Sequence, residues 1–131
     1  MRTVSVIAAT LIGLAAAIPT NAGPSEVSFA KQVLPIFMAH CASCHSPGGV
    51  GYISSNMDLT NYRSLQSGSM GGIAVIPFHS DRSALIRYLD TNWHSQDLSA
   101  LKMPPPPQYS QLPDADIATI RDWIDQGAKN N

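Results

Sequence analysis

Charge is sparse in this sequence. Eight Lys and Arg stand against nine Asp and Glu in 131 residues, and neither sign forms a block. So few cations leave no phosphate-neutralising footprint, which excludes nucleic acid as a partner. Cysteine is nearly absent as well, the only two being Cys41 and Cys44. A disulfide framework uses well-separated pairs, so two thiols this close staple nothing together. Internal repeats are lacking, and no segment alternates polar and apolar residues well enough to demand a sheet. The length allows one compact domain and little else.

Long apolar runs are confined to the start. Met1-Arg2-Thr3 leads into Val4 to Ile18, and Pro19, Thr20 and Asn21 close the run. Spanning hydrocarbon takes ~20 apolar residues, so the stretch reads as a cleaved secretory signal rather than an anchor. The expected division is 1–22 as signal peptide and 23–131 as one mature domain beginning at Gly23, with Ala15-Ala16-Ala17 as an earlier cleavage choice. Loss of Arg2 leaves seven Lys and Arg against nine Asp and Glu, a formal charge of −2. No cysteine near either junction is there to take a lipid. The mature chain is expected to be soluble, with no membrane span, in the periplasm or secreted.

Helical periodicity marks three segments. Phe29, Val33, Ile36, Phe37 and His40 predict a helix from about Ser28 to His40, with Ser25 or Ser28 as its cap and a kink near Leu34 ahead of Pro35. Ser80 to Ser83 offers capping side chains before Leu85, Ile86, Tyr88 and Leu89, with Arg82 and Arg87 turned outward. Pro113 and Asp114 open the clearest helix, Ile117, Ile120, Trp123 and Ile124 give its apolar face, and Gly127 suits a left-handed stop. Its stripe is expected to pack on the first helix. Ser46 to Gly51 reads as a loop, Tyr52 to Ser69 as irregular, and Lys102 to Pro107 as a stiff extended strap.

The chemistry lies in Cys41-Ala42-Ser43-Cys44-His45. This spacing lets two thiols add to the two vinyl groups of a haem while the adjacent histidine reaches the iron. A thioredoxin-like pair uses the same gap but needs a βαβ setting that the sequence does not offer. Structural zinc wants four ligands, and no second Cys-x-x-Cys or histidine pair follows. The reading is therefore one covalent haem c on Cys41 and Cys44 with His45 on the iron. A porphyrin would supply much of the core of so small a domain, so the apo chain should fold poorly.

The sixth position is sought among Met57, Met70, Met103, His79 and His94. Met103 is preferred because a proline strap would hold its thioether still, and a fixed soft sulfur favours reduced iron. Methionine is otherwise a flexible core filler, and His79 and His94 are surface or hydrogen-bonding residues by default. His40 is expected to hydrogen-bond locally. Trp93 and Trp123 are expected in the core, with a haem-propionate bond from an indole as the other use.

These residues resemble the planctomycete-type cytochrome c domain of the cytochrome c superfamily, from about Phe29 to Ala128. The resemblance rests on Val33-Leu34-Pro35-Ile36 before the haem motif, and on Met57-Asp58-Leu59 with Tyr62 to Leu65 after it. Further matches are Gly71-Gly72 with Ala74-Val75-Ile76-Pro77, Ser83 to Arg87, Lys102-Met103-Pro104-Pro105 and Trp123 to Ala128. It implies a small all-α haem fold, three or more helices with long loops and a Met-bearing Pro-rich strap. It further implies His45 and Met103 as axial ligands, and electron transfer as the activity. Phe78-His79 departs from the pattern, since a glycine commonly follows Pro77, and the turn and the haem edge are expected to differ there. Such domains are often fused to larger modules, whereas here a separate redox partner is expected.

The function expected is single-electron carriage by an exported c-type cytochrome that is not an enzyme. The alternative is a haem peroxidase or gas sensor with an open or labile sixth position, for which only His79, Arg82 and His94 offer acid–base groups. A filament subunit with stacked haems would need exposed apolar edges, which sequence does not locate.

Overall fold

The computed structural model describes residues 25–90, 102–105 and 110–131. The signal-peptide reading, Trp93, His94, Pro106 and Pro107 lie outside them.

The first described element is a π-turn, Phe29–Val33, that runs directly into α1, Leu34–His40. Pro35 explains the change of pitch: it has no N–H and its ring crowds the carbonyl four residues back, so the preceding turn widens. Val33 N–H reaches back five residues to Ser28 O at 3.3 Å. The expected kink is thus a π-turn. Ser28 is the cap, its Oγ accepting the Lys31 N–H. The remaining free amides go to the other end of the chain. Phe29 N–H donates to Asn131 Oδ1 at 2.8 Å, and Ala30 N–H to Asn131 O at 2.9 Å. Helix starts must satisfy such groups somewhere, and here the pairing ties this first described turn to the C-terminal residue.

Two short helices stand where the sequence suggested loop and irregular chain: α2, Val50–Ser55, and α3, Tyr62–Ser67. Gly49 precedes α2 without a side-chain cap, and six residues give too few turns for a periodic signal. Asn61 caps α3, accepting the Ser64 N–H at 2.9 Å. A 3-10 turn, Ser80–Arg82, then leads into α4, Ala84–Leu89. Arg82 is exposed and Arg87 half-buried. Of the capping side chains that Ser80 to Ser83 offer, Ser83 stands at the N-cap of α4, but its buried Oγ accepts Ile76 N–H and donates to His79 O, each at 2.8 Å. It ties the preceding loop down instead.

The last helix, α5, spans Asp114–Asp125 and buries Ile117, Ile120, Trp123 and Ile124 as the spacing predicted. Acidic Asp114 and Asp116 suit the positive end of its dipole. Gly127 takes φ +103°, and Ala128 N–H closes back on Trp123 O at 2.9 Å. The α5 face meets the π-turn, where Trp123 and Phe29 have ring centroids 5.3 Å apart and Tyr62 stands 6.4 Å from Trp123. The indole N–H donates to Lys129 O, so Trp123 serves the core. Val33, Phe37, Ile86, Ile120 and Ile124 are fully buried beside it. Each such side chain contributes ~1.5–3 kcal/mol on burial.

The described residues are helical with no strand; a lone bridge joins Ser69 and Gly72. No described helix is long and apolar enough to cross a membrane.

Phe78 holds φ +67°, a conformation that favours glycine and is uncommon for a bulky side chain. Its N–H donates to Ile124 O at 2.8 Å, and its ring lies so close to Gly127 that a Cβ there would stand 2.7 Å from Phe78 Cζ. The turn therefore keeps a glycine-like backbone while carrying an aromatic, and it does so by packing on the end of α5.

Candidate functional site

A cavity of about 590 Å³ opens among α1, α2, α4 and the strap, within the ~300–1,000 Å³ of cofactor-sized sites. Cys41, Cys44, His45 and Met103, nominated from sequence, all line it. No Asp, Glu, Lys or Arg does so among the described residues.

The end of α1 delivers the thiols. Cys41 N–H and Ala42 N–H both return to Phe37 O, and His45 N–H to Cys41 O at 2.8 Å, so the five-residue motif coils tightly off the helix. Burial, and then the neighbouring Cys44, push the Cys41 thiol up to about 11. A redox pair of the thioredoxin kind sits at a helix N-terminus, whereas these thiols follow the C-terminal end of α1, so the arrangement argues against that use. No group of three or more His, Cys, Asp or Glu among the described residues is placed to hold a metal ion by itself.

His45 is held from two sides. Its Nδ1 lies 3.2 Å from Met57 O, and its own carbonyl accepts the Leu59 N–H at 2.9 Å. A carbonyl only accepts, so the proton in this bond sits on Nδ1 and the Nε2 lone pair is left for a ligand. Such an outer partner fixes the orientation of the ring. Gly51 lies against the ring, where a Cβ would come within 2.8–2.9 Å of Cε1 and Nε2. The glycines after the motif are thus needed for close approach as well as turning.

Asp58 secures the loop that carries the Met57 carbonyl. Burial alone would raise its carboxyl, but hydrogen bonds from Thr60 N–H and Oγ1, Ser64 and Asn61 outweigh that and hold it below its ordinary value. A folded-state value below the unfolded one contributes stability that is full above about pH 4 and is lost as pH falls through the folded value. Asp58→Asn should therefore be less stable than wild type at pH 7 and lose less on going from pH 4 to pH 2. Urea unfolding across that range checks it.

Met103 enters the cavity from the strap. Its N–H donates to Tyr88 O at 2.9 Å, the Lys102 ammonium reaches Asp90 O, and Gln111 Nε2 donates to Pro104 O at 2.7 Å. The strap bends at Met103 and Pro104 rather than running straight. Met57 and Met70 also line the cavity, while His79 is exposed and outside the lining. Met57 is tied to the histidine side through its own carbonyl, and Met70 N–H is bonded to Ser55 O of α2. His40 does not bond locally: its Nε2 lies 3.8 Å from Asp116 Oδ2, across on α5. Sequence gave no signal for Met57 O, Tyr88 O or Gln111, because main-chain acceptors leave no residue-type mark.

The cytochrome c family model matches residues 34–128. The chain belongs to the cytochrome c family. No curated protein and no solved structure was found to match it. Cytochrome c is a haem-binding, electron-carrying family, and membership implies covalently attached haem c with its iron; Cys41 and Cys44 stand at the spacing that attachment uses. The cavity fits the group in size, in its apolar lining and in a histidine whose free nitrogen is fixed.

Proposed function

We propose that the chain is an exported cytochrome c carrying single electrons, with one haem bonded to Cys41 and Cys44, His45 and Met103 as axial ligands, and a subtype close to the planctomycete-type domain. The observation that carries this is the meeting of all four residues on one cavity without charged side chains. When bound, the haem supplies a one-electron couple. The protein's part is to hold it: the coil after α1 presents both thiols side by side, Met57 O fixes the His45 tautomer, and the strap presents a thioether. Restrained ligands limit rearrangement between oxidation states, and the uncharged lining keeps the site apolar.

The peroxidase or sensor alternative has less support. Acid–base assistance at the iron needs groups within hydrogen-bond reach; His79 and Arg82 stand outside the cavity lining, His40 on the lining turns its Nε2 to Asp116, and His94 lies outside the described residues. The separate redox partner is inferred to meet the cavity mouth, where segments 41–57 and 64–80 contain no Asp, Glu, Lys or Arg.

The test is intact mass. Expressed with c-haem maturation machinery and exported, the denatured protein should weigh as residues 23–131 plus one haem. Cys44→Ala should lose a thioether and yield less haem-bearing product. A wild-type mass without haem contradicts the reading.

A further inference from the structure

A thioether is a neutral donor, so its hold on a metal depends strongly on how well the protein presents it. Three contacts present Met103. Two of them, Met103 N–H to Tyr88 O and the Lys102 ammonium to Asp90 O, tie the strap to the end of α4. The third alone among the described residues ties it toward α5: Gln111 Nε2 to Pro104 O at 2.7 Å. Pro104 O only accepts, so the amide face turned to it must be the NH2. The other face, Oε1, is buried without a hydrogen-bond partner. Gln111 itself stands on firm ground, since Leu112 beside it is buried and Pro113 is the residue from which α5 starts, at its N-cap.

We propose that Gln111 is a positioning residue for the Met103 ligand, its amide on the Pro104 carbonyl coupling the strap to the root of α5 and keeping the thioether in the cavity. The inference rests on the His45/Met103 reading above and assigns a residue to its upkeep. With Gln111 unable to donate, the strap keeps two of its three ties, and the state with Met103 withdrawn gains population.

The ferric holoprotein titrated with imidazole, which must displace Met103 to bind, reads that population. Gln111→Met keeps length and volume but cannot donate. It should bind imidazole roughly two- to tenfold tighter than wild type, the worth of one ordinary hydrogen bond acting through the displaced fraction. Gln111→Lys keeps a donor and should return toward wild type, which a loss of packing alone would not do. Met103→Ala sets the upper limit of affinity. Wild-type affinity in Gln111→Met, with Met103→Ala binding more tightly, overturns the role of Gln111 and leaves the ligation reading standing. Equal affinity in wild type and Met103→Ala overturns both.

Discussion

Replacing both Cys41 and Cys44 by alanine is expected to give a chain that yields its haem to a scavenger and then melts without a cooperative transition. The cavity is about 590 Å³ and is walled by Leu59, Ala74, Leu85 and Leu89, which are also core residues. The cavity opens to solvent, so without haem these apolar walls face water instead of a packed neighbour and lose the contacts a core depends on. Small domains are stable by only ~5–15 kcal/mol. Water can enter the space, but Leu59, Ala74, Leu85 and Leu89 give it no polar side-chain partner along that wall. Thioether attachment removes the problem by making the haem a permanent part of the core. Circular dichroism melts of the scavenged variant and of wild type check the expectation. A sharp transition in the haem-free variant would show that the side chains alone sustain the fold.

Met103→Ala has the second large effect, and it falls on function. The stability loss is limited, because Met103 is only half-buried and the strap ties through Lys102, Tyr88 and Gln111 involve main-chain groups or other side chains. The reduction potential should fall by more than about 59 mV, the one-electron equivalent of tenfold, because the lost sulfur favours reduced iron. The reduced variant should also bind carbon monoxide that wild type refuses. Potentiometry and a carbon monoxide titration check both effects, and a urea melt beside them separates this from simple misfolding, which would cost far more stability than the limited loss expected.

Long or well-punctuated elements were legible in the sequence. For α5, the apolar period, Pro113 at the start and Gly127 at the stop all agreed, and the structure has all of them. The first helix was legible too, though the response to Pro35 is a π-turn, set by hydrogen-bond pitch that composition does not encode. The short helices α2 and α3 escaped because Gly49 and Gly51 read as loop and six residues carry little periodicity. At the candidate site, the residue types were readable because thiols, imidazole and thioether are rare and spaced. What supports them was not: Met57 O is a carbonyl twelve residues from His45, and the Asp116 near His40 lies on another helix. The glycine-like turn at Phe78 was flagged by a departure from pattern, yet its cause is the packing of that ring on Gly127.

The most direct test is the absorption spectrum of the ferric wild-type holoprotein in the near infrared. A band from a methionine sulfur bound to ferric haem, absent from Met103→Ala, is the result predicted. Covalently held haem with no such band in wild type, and ready binding of carbon monoxide once reduced, would contradict the His45/Met103 carrier and point to an open site.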